Sequence, residues 1–184
     1  MNAVTPINRE QRPYSAAAQA VLARKPALFI NNEWVASSHD KVIEVEDPSS
    51  GKIISHIADA SDKDVDRAVA AARAAFDDGR WSGLPPIVRD RTMNRFADLL
   101  EAHADEFAEL EAIDNGKAKG MAAAVDIPGA ISQLRFMAGW ASKVSGETTA
   151  PYTMPAGAVL RYTVKESVGV CAQNVPRNFP LLMV

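Results

Sequence analysis

The stretch Asp47–Ser82, "DPSSGKIISHIADASDKDVDRAVAAARAAFDDGRWS", decides how the rest of the chain is read. It opens on a turn, because Pro48 and Gly51 stand where tight turns want a fixed φ and a positive φ. "KIISHIADA" has the composition of a strand. Ser61 then precedes Asp62-Lys63-Asp64, a hydroxyl N-cap followed by acids in the first turn, where the helix dipole favours them. Val65, Val69, Ala72 and Phe76 recur at helical spacing, and Gly79 suits the left-handed residue that closes a helix. Turn, strand and capped helix in one short run predict a mixed α/β chain.

Toward the N-terminus, "KVIEVE" (Lys41–Glu46) is the strand that pairs across the Asp47–Gly51 turn. "ALFINNEWVA" (Ala27–Ala36) is a second hairpin, because Asn31-Asn32 tolerate positive φ. The front third therefore reads as an antiparallel β-ribbon. Residues 1–26 hold Arg9, Arg12, Arg24 and Lys25 against Glu10, and their apolar part, "SAAAQAVLA", is short and interrupted by Gln19. That is a poor secretory core. The segment reads as a leader or short helix on a cytoplasmic protein.

Toward the C-terminus, Pro85-Pro86 opens a helix with Phe96, Leu99, Leu100 and His103 on its apolar face. A helix restarts at Asp105 with Phe107, Leu110 and Ile113, and Asn115-Gly116 closes it. Met121–Val144 is a third helical region carrying Ile131, Leu134, Phe136, Met137 and Trp140, with Pro128-Gly129 interrupting its start. "GETTAPYTMPAGA" (Gly146–Ala158) reads as a loop. "VLRYTVKESVGVCAQNV" (Val159–Val175) returns to a β pattern, in which Leu160, Tyr162 and Val164 alternate against Arg161, Thr163 and Lys165.

The chain has 184 residues, 47% apolar and 23% charged, with net charge −3, an ordinary globular composition. No basic stripe points to nucleic acid, and no apolar stretch is long enough to span a membrane. The three histidines, His39, His56 and His103, are far apart and lack metal-ligand spacing. Glycine-rich phosphate motifs, G-x-S-x-G and H-E-x-x-H are absent from the sequence.

Five stretches in order change the functional reading. They are "LFINNEW" (Leu28–Trp34), Asp47–Ser82 above, "LEAIDNGK" (Leu110–Lys117), "FMAGWASKVSGETT" (Phe136–Thr149) and "KESVGVCAQNVPRNFPLLM" (Lys165–Met183). Together they resemble the N-terminal portion of the NAD(P)-dependent aldehyde dehydrogenase superfamily, from Leu28 to Val184. The resemblance implies the N-terminal part of a Rossmann-like cofactor domain over residues 27–184, including the start of the oligomerisation β-arm near 158–168, with the catalytic domain absent. It implies NAD or NADP as cofactor, a small aldehyde as substrate and a dimer or tetramer. In such enzymes a cysteine thiolate attacks the aldehyde, hydride passes to the nicotinamide, and a glutamate activates water to hydrolyse the thioester. Nucleophile, base and glycine motif lie downstream of a Pro-Trp-Asn-Phe-Pro motif, so the 184 residues alone are expected to be inactive.

That motif places Val175, Pro176, Arg177 and Asn178 on the cofactor cleft. By resemblance Asn178 is the oxyanion donor, while the residue pattern alone also allows a Pro-bracketed turn in which it bonds local backbone. Arg177 stands where the family has tryptophan. It reads either as a contact to a cofactor phosphate or as a solvated position. Cys171 lies in an apolar run and reads as a small buried hydrophobe rather than the nucleophile. Leu181–Val184 reads as the start of a helix destined for a sheet. An alternative function is a non-catalytic interaction module, joining a full-length subunit or a complementary chain through the open edge at Leu160–Glu166 and the apolar end.

Overall fold

The computed structural model describes residues 13–183. Residues 1–12 of the N-terminal segment, and Val184, lie outside the described residues. From Pro13 onward that segment holds a helix, α1 (Ala16–Leu22), capped by the Ser15 hydroxyl.

Two separate hairpins follow rather than one continuous ribbon. The first pairs β1 (Leu28–Ile30) with β2 (Glu33–Val35), and the second pairs β3 (Val42–Asp47) with β4 (Lys52–Ala58). Asn31 and Asn32 take φ of 52° and 64°, the left-handed conformations their place in the first turn requires. The second turn closes on Gly51 at φ 67°.

Four helices make the body. α2 (Asp62–Asp77) starts on a complete capping box, in which the Ser61 hydroxyl receives Asp64 N–H and the Asp64 carboxylate receives Ser61 N–H. α3 (Pro86–Ala102) has its proline where no intrahelical donor is needed. α4 (Ala104–Asn115) ends at Gly116, φ 79°. A Cβ on Gly116 would lie 3.1 Å from the Pro48 Cβ, so this glycine also lets the β3–β4 turn sit against the end of α4.

The third helical region is not broken by Pro128. After a short α5 (Lys119–Met121), residues Ala122–Asp126 form a π-turn, and Ile127 N–H donates to the Ala122 carbonyl five residues back. The ladder has already changed register when Pro128 arrives, so its missing N–H costs no regular α bond and α6 (Ile127–Ala138) continues through it. The core lies between α3, α4, the π-turn and α6. It contains Ala97, Leu100, Ala108, Ala122, Ile127 and Ile131, with Phe107, Leu134 and Leu181 packed around them. Three of those six core residues are alanines, which lets the backbones approach closely.

Three expectations change beyond this point. The stretch Gly146–Ala158, read as a loop, contains a hairpin of β5 (Tyr152–Met154) and β6 (Gly157–Val159). Its strands are too short to display a period-2 pattern, and Pro155 and Gly157 pull the reading toward loop. The β pattern of Val159–Val175 yields only β6 and a bridge between Thr148 and Tyr162. Among the described residues no strand pairs with 164–175, and an extended segment without a neighbouring ladder is not a strand. Leu160, Tyr162 and Val164 are consequently all exposed, and so is Cys171, which was expected to be buried. The helix expected at the C-terminal end forms as α7 (Pro180–Met183), and Leu181 packs it on α6 and the helical core.

Candidate functional site

Asn178 lies in the turn just before α7. Its approach to the body is made by Lys117, which follows the left-handed Gly116. The Asn115 side-chain oxygen accepts the Lys117 N–H at 2.9 Å, fixing the backbone immediately after α4. The Lys117 ammonium then makes three hydrogen bonds. It donates to Glu111 Oε1 at 3.1 Å, to Asp126 Oδ2 very closely, and to the Asn178 carbonyl oxygen at 2.8 Å. Its Nζ also stands 4.7 Å from the centroid of the Phe179 ring.

The two carboxylates come from different elements. Glu111 sits on the inner face of α4, and Asp126 is the last residue of the π-turn. Both are buried, at 5% and 2% exposure. A buried carboxylate without a partner is strongly unfavourable, so the pair requires the cation between them. Burial pulls the Lys117 pKa down, but the hydrogen bonds and charges of Asp126 and Glu111 outweigh it and hold the pKa above the ordinary lysine value. Lys117 is therefore a permanent cation at neutral pH. Its three N–H donors are all committed.

Around this ion cluster an open cleft is lined by Asn115, Met121, Asp126, Arg177, Asn178 and Phe179. Arg177 and Asn178 are exposed, Pro176 is exposed and Val175 is half-buried. Arg177 turns toward α4, with Nη2 3.5 Å from the Asp114 carbonyl oxygen, the outer limit of a hydrogen bond. The Asn115 Nδ2 is buried and has no partner. The sequence pattern singled out Asn178 and Arg177 but missed Lys117, Glu111 and Asp126. The available signal was weak: Asp126 is a lone acid in the apolar run "AAAVDI", whereas Glu111 stands between Glu109 and Asp114 and nothing local marks it out.

These residues do not by themselves make a dinucleotide site. Toward phosphate they offer one cation, Arg177, on an exposed turn. Among the described residues no glycine-rich turn leads from a strand into a helix N-terminus, the arrangement that cradles a pyrophosphate. The described residues supply one wall of such a site at most. Among the described residues no group of His, Cys, Asp and Glu could hold a metal ion, and no helix is long and apolar enough to cross a membrane.

A second polar cluster has the outline of a catalytic triad and is not one. Ser37 Oγ lies 3.1 Å from His39 Nδ1, and His39 Nε2 lies 3.7 Å from Asp59 Oδ2. But Ser37 is buried, and its hydroxyl donates to the Asp59 carbonyl oxygen, with the Asp64 carboxylate 3.3 Å away. It ties β2 to the start of α2 and cannot meet a substrate.

Comparison with known proteins agrees with the arrangement. The aldehyde dehydrogenase family profile matches residues 34–184. An aldehyde dehydrogenase of Emericella nidulans is 49% identical over 158 residues, covering 85% of this chain and 30% of the relative. The mitochondrial benzaldehyde dehydrogenase of Antirrhinum majus is 45% identical, covering 85% of this chain and 28% of its own length. Among solved structures, an aldehyde dehydrogenase variant from Bacillus cereus superposes with a TM-score of 0.87 at 36% identity, covering 93% of this chain and 34% of that one. A P. syringae indole-3-acetaldehyde dehydrogenase variant in complex with NAD+ and IAA superposes with a TM-score of 0.81 at 38% identity, covering 90% and 32%. The chain thus spans about 30% of the length of the curated relatives it matches. With a profile match over most of its length and these superpositions, the chain belongs to the aldehyde dehydrogenase family.

Proposed function

We propose that this chain is the N-terminal portion of an NAD(P)-dependent aldehyde oxidation unit of the cytoplasm. In this reading its part in the chemistry is Asn178, a side-chain amide donor to the oxyanion formed when a thiolate attacks the aldehyde carbonyl. That amide is useful only if it is preorganised where negative charge develops. The observation that carries the reading is the Lys117–Asn178 hydrogen bond, because it holds the turn by its backbone and leaves the side chain exposed on the cleft. The residues present supply no activated thiolate. Cys171 is exposed on an unpaired segment, with its sulfur 3.8 Å from the Gly169 carbonyl oxygen. The 184 residues alone are therefore inactive in this reading. Val175, Pro176 and Arg177 form the rim facing the cofactor.

The test is to join the chain in frame to the corresponding downstream region of the Emericella nidulans relative and follow aldehyde-dependent reduction of NAD or NADP. The chain alone gives none, the joined protein turns over, and Asn178→Ala lowers kcat by about 10²–10³. Full turnover by the Asn178→Ala protein refutes the assignment.

A second reading, a non-catalytic module that binds a full-length subunit or a complementary chain, is favoured by one observation. Leu160, Tyr162, Val164 and Val168 are all more than 60% exposed along an extended segment with no ladder beyond Tyr162. Co-elution of the chain with a full-length aldehyde dehydrogenase subunit supports it, and a folded monomer that binds neither partner refutes it.

A further inference from the structure

Resting on the reading of Asn178 as the oxyanion donor, we infer that Lys117 is the positioning residue for that donor, with Glu111 and Asp126 holding the lysine. It acts on the Asn178 backbone and needs no contact with substrate.

The argument is one of degrees of freedom. Pro176 and Pro180 each lock their own φ, so the turn between them is stiff at both ends. Beyond Pro180, α7 is seated on α6: a Cβ on Gly129 would lie 3.3 Å from Leu182 Cδ1. Between them the backbone torsions of Arg177, Asn178 and Phe179 remain, and the peptide plane joining Asn178 to Phe179 is the point at which the body of the protein restrains them. Holding that plane limits how far the Asn178 Cα, and with it the side chain, can swing from the cleft. The Lys117 ammonium grips this plane at the Asn178 oxygen, 2.8 Å away, and meets the ring of the next residue 4.7 Å away.

The grip is itself fixed. A surface lysine has four rotatable bonds and positions nothing. Here two of its donors are anchored on buried carboxylates from two different elements, so the third has one direction left. A single cation shared by two acids cannot leave without exposing both of them to an unpaired state. Arg177, one residue before Asn178, has no such anchor. An arginine at position 117 would keep the charge but present a planar fork, which cannot direct single N–H bonds at three acceptors arranged about a tetrahedral ammonium.

The test reads Asn178 directly. In the 184-residue chain labelled with 15N and 13C, the Asn178 side-chain NH2 pair is compared among the parent, Lys117→Arg, and the triple variant Glu111→Gln/Lys117→Met/Asp126→Asn. The triple variant removes the three charges together and leaves no orphaned carboxylate, so it remains folded where Lys117→Met alone would not. The expected result is an Asn178 NH2 pair that collapses to averaged positions in both variants, while the Leu100 and Ile131 methyl signals stay in place. An unchanged Asn178 pair in either variant overturns the inference. In the joined enzyme described above, Lys117→Arg is expected to lower kcat about 10- to 100-fold with the KM for the cofactor unchanged, the scale of an ångström-level misplacement. It should add nothing on top of Asn178→Ala, because the two act as one unit. Additive losses overturn the positioning role. If instead Asn178→Ala has no effect while the Asn178 signals still respond to Lys117, the oxyanion reading fails and the tether stands.

Discussion

Replacing Asp47 by asparagine tests the support beneath the site. Asp47 is 3% exposed at the end of β3. Its Oδ1 accepts the Ser49 N–H at 2.8 Å and the Ser49 hydroxyl at 2.7 Å, and its Oδ2 accepts the Ser50 hydroxyl at 2.8 Å and the Tyr14 hydroxyl at 3.2 Å. Burial alone would raise its pKa. The donors from Ser49, Ser50 and Tyr14 outweigh burial and lower it from 3.8 to about 2. At about 1.4 kcal/mol per tenfold change in proton affinity, that drop corresponds to roughly 2 kcal/mol of folding stability. The sign follows from the direction. A carboxylate depressed in the folded state stabilises above its unfolded pKa and loses that contribution as pH falls through the folded value. Asp47→Asn should therefore lower Tm near neutral pH by about 4–8 °C for a chain of this size. The gap to the parent should narrow below about pH 4 and close near about pH 2. Melting curves of the two proteins over this range make the measurement, and taking the difference removes the other titrating carboxylates. Equal Tm values at neutral pH, or a gap that persists at the acid end, refute the reasoning.

The other predictions concern neighbouring links. Gly116→Ala places a Cβ at positive φ and 3.1 Å from Pro48, and should cost more than the roughly 1–2 kcal/mol of left-handed strain alone, read as a shift in the urea midpoint. Glu109 is held below the ordinary glutamate pKa, first by the Ser15 backbone N–H at 2.7 Å, so Glu109→Gln should raise amide exchange across α1 while leaving the core of α3 and α6 protected. Cys171 should react with a thiol reagent in the native chain within a few-fold of its rate in denaturant, and strong native protection would contradict its exposure. Leu181→Ala should weaken the seat of α7 on the helical core by about 1–2 kcal/mol, less than a fully buried leucine, because Leu181 is only partly buried.

The parts of this architecture that the sequence made legible are those set by local chemistry. Asn31-Asn32, Gly51, Ser61 with Asp64, Pro86 and Gly116 each impose a backbone conformation within a few residues, and each takes the conformation expected. The misreadings share a different cause. Val159–Val175 has strand composition, but a strand exists only when a second backbone supplies its hydrogen bonds, which composition cannot report. Pro128 looked like a break because helix patterning assumes the α register, and a π-turn had already left it. At the site, Asn178 was singled out through a motif. Lys117 was not, because its partners Glu111, Asp126 and Asn178 are brought together by the packing of α4, the π-turn and the α7 turn.

Asn178 stands on the boundary between two regimes of this chain. On its C-terminal side the turn is held by the body: its carbonyl is held by Lys117, Phe179 lies against the same ammonium, and Leu181 joins the helical core. That side runs continuously back through Gly116 and Pro48 to the buried carboxylate of Asp47. On its N-terminal side, residues 164–175 have no ladder partner among the described residues, and Val168 is 89% exposed. The two sides constrain Asn178 differently. The peptide plane after it is fixed by bonds the chain already contains. The approach of the chain before it depends on whatever backbone pairs with 164–175. A partner strand could therefore shift the segment before Asn178, but moving the Asn178 backbone away from the helical core would require breaking the Lys117 bond. The seat of the Asn178 backbone is written into the helical half, and the course of residues 164–175 depends on what pairs with them.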